Sequence, residues 1–129
     1  MNKPVMLPPS IPDSASGAEK KIFEELKALP MDCTIFHSVG LAEHRNNAYG
    51  EIDFVILSER GVLCLEVKGG GIATHDGRWE YTNRSGCTTV KDESPFEQAT
   101  SKMYSLRTHL KLYMYPNEFK EGLKINVHL

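Results

Sequence analysis

Acidic residues interrupt two neighbouring apolar stretches of this chain, where a buried β-sheet would not tolerate them unpaired. The first stretch, residues 50–57, contains Asp53, and the second, residues 61–68, contains Glu66 and Lys68. An ionised side chain inside such a stretch costs several kcal/mol unless it is paired or bound to a metal. Carboxylate oxygens are the hard ligands that Mg²⁺ prefers. The two stretches therefore predict a divalent-cation site, with Lys68 beside it to orient a water molecule or to neutralise developing negative charge.

The predicted site depends on the register of the hairpin that the two stretches form. Residues 58–61 are typical of a four-residue loop, which pairs Leu57 with Val62. That register places Asp53 directly opposite Glu66, with their Cβ atoms about 4.5–5.5 Å apart. A three-residue loop with a bulge would instead shift the register by one residue and separate the two carboxylates.

Length and composition are those of one globular domain. The chain has 129 residues, 40% of them hydrophobic, and a net charge of −2. This charge excludes a strongly basic surface, so any contact with nucleic acid must come from local patches. The three widely spaced cysteines, without a CxxC pair, argue against a disulfide framework and against a zinc knuckle. No signal peptide or membrane-length apolar run is present, which makes a reducing cytoplasm the expected location.

Apolar periodicity predicts an α/β fold, with a mixed β-sheet flanked by helices. Residues 1–16, rich in Pro and Ser, are predicted to be a flexible leader, and residues 17–129 a single domain. The predicted elements are a helix over 19–29, strands over 34–39, 50–57, 61–68, 72–75, 78–82 and 87–90, a helix opened by Ser94-Pro95, and a final strand over 125–129. The predicted buried stripes are Ala18, Ile22, Leu26 and Leu29, with Phe23 beside them, in the first helix, and Ala99, Met103, Leu106, Leu110 and Tyr113 in the second.

Four segments of the chain carry a family resemblance. They are Gly50-Glu51-Ile52-Asp53-Phe54-Val55, Gly61-Val62-Leu63, Glu66-Val67-Lys68-Gly69 and Pro95-Phe96-Glu97-Gln98-Ala99. Together they resemble the nuclease-related domain (NERD) family of the PD-(D/E)xK nuclease superfamily, over nearly the whole chain. The resemblance implies a restriction-endonuclease-like core and Mg²⁺-dependent hydrolysis of DNA, for which Mn²⁺ can substitute. The catalytic roles that it implies fall on Asp53, Glu66, Lys68, Gln98 and Glu19, with the metal bound by Asp53 and Glu66.

Several of these residues also have ordinary structural explanations. The hairpin charges can form a cross-strand ion pair at a solvated sheet edge. Glu19 completes a capping-box pattern with Ser16, which competes with its role as an extra ligand or water-positioning group. Gln98 would be an ordinary surface glutamine without the helix-opening pattern before it. Glu51, at the entrance of its strand, is interpreted as a rim residue.

Substrate contacts are expected from Lys102, one turn after Gln98, and from Gly69 and Gly70, which let a backbone approach closely. Further basic candidates, each weak alone, are Arg45, Lys91, Arg107 and Lys111. No chemical role is assigned to the histidines, because His37, His44, His75, His109 and His128 show no ligand spacing. The aromatic pair on one predicted strand, Trp79 and Tyr81, is expected to pack against the sheet.

These patterns, with the family resemblance, predict a metal-dependent DNA endonuclease or nicking domain that uses an activated water and forms no covalent intermediate. The alternative is a catalytically silent module of the same fold that binds nucleic acid or protein. A third hypothesis, a regulatory or self-assembly domain, predicts a homodimer or larger assembly through the edge strand at 125–129. No glycine-rich loop ending in Gly-Lys-Ser/Thr is present, which excludes an ATPase of that type.

Overall fold

The chain has an α/β architecture with a mixed β-sheet, as the sequence predicts. The computed structural model describes residues 2–40 and 51–110. In chain order the elements are β1 (Val5–Leu7), α1 (Gly17–Lys27), β2 (Thr34–Gly40), β3 (Glu51–Ser58), β4 (Gly61–Leu65), β5 (Gly71–His75), β6 (Arg78–Thr82), β7 (Thr88–Lys91) and α2 (Pro95–His109). The predicted final strand, 125–129, lies outside the described residues. Neither α1 nor α2 is long and apolar enough to cross a membrane, and these are the helices of the described ranges.

The larger sheet has the strand order β1-β2-β3-β4. β1 runs parallel to β2, whereas the β2–β3 and β3–β4 pairs are antiparallel. β3 is paired on both sides, and its residues Ile52 and Phe54 are almost completely buried. This position explains the continuous apolar run of β3, and it places Asp53 on a strand that is fixed from both sides.

The hairpin between β3 and β4 turns on two residues rather than the predicted four. Ser58 pairs with Gly61, so Glu59 and Arg60 alone form the loop. Gly61 has a φ of +130°, a conformation that residues with a Cβ rarely adopt. Leu57 still pairs with Val62, so the shorter loop keeps the predicted side-chain register.

The leader predicted for residues 1–16 is not flexible throughout, because it contains β1. Val5 donates its N–H to the carbonyl of Cys33 at 2.8 Å, and the strand continues beside β2. Met6 is buried in the same core cluster as Phe23. Three apolar residues next to prolines are too few to show a periodicity, so the strand is recognisable only through its pairing with β2.

The two helices pack on opposite faces of the larger sheet. From α1, Phe23 is only 2% exposed and joins the core cluster of Phe54. The sequence places Phe23 beside the buried stripe of α1, whereas the structure makes it the most buried residue of that helix. From α2, Leu106 packs against the cluster that contains Val55. Side chains alternate along β3, so Asp53 shares the face of Val55 and points to the side of α2.

The smaller sheet, β5-β6-β7, is antiparallel throughout. The predicted turn between β5 and β6 is confirmed, since Asp76 and Gly77 both have positive φ, as a type I′ hairpin turn requires. β6 and β7 are connected by the predicted turn that starts at Asn83, whose carbonyl accepts the N–H of Gly86 at 3.1 Å. In this sheet Trp79 lies opposite Lys91.

Helix α2 begins where the sequence predicts. The hydroxyl of Ser94 accepts the backbone N–H of Glu97 at 3.0 Å, and Pro95 occupies the first turn. Met103, from the predicted core stripe, and Gln98 are its buried side chains. A buried glutamine on a helix needs polar partners, which the candidate site supplies.

Candidate active site

The β3–β4 hairpin brings Asp53 and Glu66 together in the predicted register. Leu57 pairs with Val62, and the strand pairing ends one step before the two acidic residues. There the Asp53 side chain replaces the missing strand partner, because its Oδ2 accepts the backbone N–H of Val67 at 2.8 Å. The carboxylate of Asp53 thus fixes the end of β4, and with it the residues that follow.

The Glu66 carboxylate is the most enclosed charged group of the site, with a side chain only 8% exposed. Its Oε1 accepts from the ammonium of Lys102 at 2.7 Å and lies 3.3 Å from that of Lys68. Its Oε2 is buried and has no hydrogen-bond partner among the described residues. A buried carboxylate oxygen without a partner is costly, so this atom favours a cation or a donor from a bound molecule.

The environment of Asp53 disfavours its charged form. Burial raises the pKa of the Asp53 carboxyl, and the nearby charges of Glu66 and Glu19 raise it further. The N–H of Val67 and the ammonium of Lys102 lower this pKa and offset part of the rise. Carboxylates that repel one another in this way gain from a divalent cation placed among them.

Glu19 lies in the first turn of α1, where Ser16 is the N-cap, and its side chain contacts both Ser16 and His37. The backbone N–H of Glu19 donates to the hydroxyl of Ser16. That hydroxyl in turn donates to Oε1 of the Glu19 side chain at 3.1 Å. The predicted capping box is modified, because the carboxylate contacts the hydroxyl of Ser16. Its other oxygen, Oε2, lies 2.8 Å from Nε2 of His37. Both oxygens of the Glu19 carboxylate thus contact protein side chains, and its role as an extra ligand or water-positioning group stays a prediction.

His37 is the residue that sequence reasoning missed. Its side chain is 4% exposed and lies among aromatic rings, with ring centroids 6.5 Å from Phe23 and 4.9 Å from Phe54. A carboxylate can only accept, so the His37 Nε2–H donates to Glu19. The spacing of residues along the chain does not reveal this contact, because His37 is on β2 and Glu19 is on α1. An alternating strand pattern that places a histidine on a buried face was the available signal.

The strand next to Asp53 carries a backbone irregularity. Ser38 has a φ of +60° and interrupts the pairing of β2 with β3 between His37 and Val39. Its hydroxyl donates to Glu51, which is exposed at the entrance of β3 and matches the predicted rim position. A left-handed serine is uncommon and marks a place where the surrounding structure imposes the backbone conformation.

Helix α2 contributes two side chains, one turn apart. Lys102 contacts Glu66, so this predicted substrate-binding residue also neutralises a carboxylate of the site. Gln98 is buried, and its Nε2 lies 3.5 Å from the hydroxyl of Tyr81 on β6. That hydroxyl donates to the carbonyl of Glu93 at 2.9 Å. The two sheets are thus connected through one face of α2.

The glycine segment after Lys68 has a packing role. At Gly70, with a φ of +83°, an added Cβ would lie 2.1 Å from the carbonyl oxygen of Thr82. A Cβ on Gly69 would lie 3.1 Å from the Cβ of Ala18. Gly70 thus lets the backbone of Thr82 approach, and Gly69 the side chain of Ala18. The contact of both glycines with substrate stays a prediction. Of the other basic candidates, Arg45 and Lys111 lie outside the described residues.

The donor set fits a magnesium-type ion with few protein ligands. Asp53 and Glu66 offer hard oxygen atoms, and the unpartnered Oε2 of Glu66 is a ligand atom without a competing hydrogen bond. Within residues 2–40 and 51–110, no group of three or more His, Cys, Asp and Glu residues is arranged to bind a metal. Mg²⁺ commonly binds through one or two carboxylates and retains several waters, so two carboxylates suffice.

The chain matches the model of a known protein family. The family model NERD, described as Nuclease-related domain, matches residues 14–128, a range that contains both helices and all the predicted catalytic residues. No curated protein and no solved structure matches the chain.

Proposed function

Because this chain belongs to the nuclease-related domain family, we propose that it is a metal-dependent nuclease that hydrolyses DNA phosphodiester bonds. The observation that carries the proposal is the carboxylate of Glu66. It is nearly enclosed, lies beside Asp53, contacts two lysines and has one buried oxygen without a partner. A purely structural ion pair would be expected to satisfy both oxygens.

Asp53 and Glu66 would bind Mg²⁺, for which Mn²⁺ can substitute. When bound, such an ion polarises a phosphate oxygen and lowers the pKa of a coordinated water. The remaining groups act around these two carboxylates. Lys68, 28% exposed, can leave Glu66 and donate to the phosphate on which negative charge develops.

Two further side chains would position the attacking water. Glu19, fixed by Ser16 and His37, presents a carboxylate that can accept a hydrogen bond from that water. Gln98 has an amide that can both donate and accept, and burial restricts its orientation. Hydrolysis by water, without a covalent intermediate, needs no nucleophilic side chain.

Cleavage of supercoiled plasmid and of single-stranded DNA, with Mg²⁺, Mn²⁺ or EDTA, tests the proposal. Asp53→Asn keeps an acceptor for the Val67 N–H, and Lys68→Met keeps the aliphatic stem. Each is expected to reduce metal-dependent cleavage by about 10²-fold or more. Asp13→Asn and Lys27→Met make the same chemical changes at exposed positions and should leave cleavage unchanged.

Two outcomes of that experiment would contradict the proposal. One is the absence of cleavage by folded wild type with either metal. The other is cleavage that persists in both Asp53→Asn and Lys68→Met, which would place the activity elsewhere.

The alternative function is a catalytically silent module that binds nucleic acid. The observation that favours it is the pairing of Glu66 with both Lys68 and Lys102, which already neutralises that carboxylate. Such a module would keep its affinity for DNA after Asp53→Asn, and Mg²⁺ would not raise its melting temperature. An active enzyme is stabilised by any ion that binds the folded state alone.

A further inference from the structure

A cavity of about 250 Å³ lies between the smaller sheet and the start of α2, next to the candidate active site. Its lining consists of Lys68, Gly69, Tyr81, Thr82, Asn83, Cys87, Thr89, Lys91 and Gln98. Lys68 also contacts Glu66, so one side chain belongs to both places. The cavity is smaller than the roughly 300–1,000 Å³ of pockets for drug-sized ligands, so it suits a small chemical group rather than a large one.

The charged side chains that line the cavity, Lys68 and Lys91, are both basic. The ammonium groups of Lys68 and Lys91 lie 5.7 and 5.8 Å from the centroid of the Tyr81 ring. No acidic side chain among the described residues lines the cavity, and no ion pair within the described ranges involves Lys91. Lys68 already has Glu66 as an anionic partner, so Lys91 is the cation of this cavity that gains most from a bound anion.

The neutral lining residues add hydrogen-bond donors. The smaller sheet directs Tyr81, Thr89 and Lys91 to one face, because Tyr81 pairs with Thr89 and Lys91 lies two residues further along β7. The hydroxyl of Thr89 and the amide of Gln98 complete a set of donors suited to phosphate oxygens. Burial, with the charges of Glu93 and Glu97, raises the pKa of Tyr81. Its one proton is already donated to the carbonyl of Glu93, so Tyr81 contributes its ring rather than a donor.

We propose that this cavity binds a phosphodiester of the DNA strand, next to the one that is cleaved, with Lys91 and Lys68 as its cationic contacts. The inference rests on the proposed function for the identity of the strand. Lys91 is a substrate-binding residue in this scheme, and Lys68 connects the bound phosphate with the carboxylates. The chain's net charge of −2 makes such a local patch necessary for binding DNA.

Binding of a fluorescein-labelled oligothymidylate tests this cavity without cleavage, because the titration is done in EDTA at several salt concentrations. Lys91→Gln is expected to weaken binding and to reduce the slope of log K against log salt by about 0.7, the value for one contact to a single strand. Lys91→Arg should retain most of the slope. Lys27→Gln removes the same charge at an exposed position of α1 and should behave as wild type.

A second signal locates the bound strand. Trp79, the only tryptophan of the chain, lies opposite Lys91 in the smaller sheet. Its fluorescence should change on titration with unlabelled oligothymidylate, to a lesser extent in Lys91→Gln than in Lys27→Gln. An affinity and salt slope of Lys91→Gln equal to those of Lys27→Gln would overturn the inference, as would wild type that does not bind.

The two proposals fail in different ways. If the protein binds DNA through Lys91 in EDTA but never cleaves with metal, the proposed phosphate site stands and the proposed nuclease function is wrong. If cleavage depends on Asp53 but DNA binding does not depend on Lys91, the nuclease function stands and the proposed phosphate site is wrong.

Discussion

The ammonium of Lys102 lies 2.7 Å from Oε1 of Glu66, although 36 residues separate them along the chain. Lys68 is only two residues from Glu66, yet its ammonium is farther away, at 3.3 Å. The helix thus makes the closer contact with the enclosed carboxylate. The positive charge of Lys102 thus neutralises the Glu66 carboxylate, as a bound metal ion would.

Replacing Lys102 by methionine should therefore have opposite effects on metal binding and on stability. Lys102→Met removes a competing positive charge, so Mn²⁺ should bind more tightly, by about 1 kcal/mol or about fivefold. In EDTA the same change leaves Glu66 with Lys68 alone, so the free energy of unfolding should fall by about 1–3 kcal/mol. Calorimetric titration with Mn²⁺ and urea denaturation measure the two quantities.

Lys27→Met is the matched control for this variant, because Lys27 is exposed at the end of α1. It should change neither quantity measurably. Weaker binding of Mn²⁺ by Lys102→Met would contradict the competition and would mean that Lys102 helps to assemble the metal site.

The charge of Asp53 should lower the stability of the metal-free protein at neutral pH. Burial raises the pKa of Asp53 in the folded chain, whereas in the unfolded chain it returns to its ordinary value of 3.8. Between these two values the folded state binds more protons, so the free energy of unfolding falls as pH rises through this window. Asp53→Asn carries no charge and should be more stable than wild type at neutral pH.

Urea denaturation in EDTA over a series of pH values measures this difference. The advantage of Asp53→Asn should shrink as pH falls through the window, since wild-type Asp53 is then protonated as well. Asp13→Asn, at an exposed position, should show no such trend. A wild type more stable than Asp53→Asn at neutral pH would mean that the hydrogen bond from Val67 outweighs burial.

The contact of Glu19 with His37 should contribute to stability as a pair. His37→Phe keeps an aromatic ring among Phe23 and Phe54 but removes the donor to Glu19, and it should cost about 1–3 kcal/mol. Glu19→Gln and the double variant complete a cycle whose coupling energy should be about 0.5–3 kcal/mol. His75→Phe, on exposed β5, is the control for the substitution itself. Additive effects would show that the two side chains do not interact.

Two glycines with similar backbone angles should differ in their tolerance of alanine. Gly70 and Gly77 have φ values of +83° and +76°, so alanine costs roughly 1–2 kcal/mol of conformational energy at either position. Only at Gly70 would the new Cβ meet a backbone atom, the carbonyl oxygen of Thr82 at 2.1 Å. Gly70→Ala should therefore be clearly less stable than Gly77→Ala in thermal denaturation. Equal losses would mean that the segment can move away from Thr82.

The hairpin could be predicted from sequence because all its determinants are local. Alternation places Asp53 and Glu66 on one face, and any even loop keeps them there, so the error in loop length had no consequence for the site. The capping signals of both helices are local as well, and the structure confirms them at Ser16 and Ser94.

The contacts that escaped prediction join elements distant in the chain. The partner of His37 is on α1, and that of Lys102 is in the segment after β4. Neither pairing follows from periodicity, because it depends on how each helix is placed against the sheet. The strand β1 was missed for a similar reason, since only its pairing with β2 distinguishes it from a proline-rich leader.

Gln98 and Lys102 lie one turn apart on α2. Gln98 contacts Tyr81 of the smaller sheet, and Lys102 contacts Glu66, which directly follows β4. The helix backbone, held by its hydrogen bonds, rises about 1.5 Å per residue, so the spacing of these two residues along the helix axis is fixed. A shift of α2 would therefore displace its contact with Tyr81 and its contact with Glu66 together. If DNA binds as proposed, α2 would therefore fix the spacing between the strand near Tyr81 and the carboxylate of Glu66.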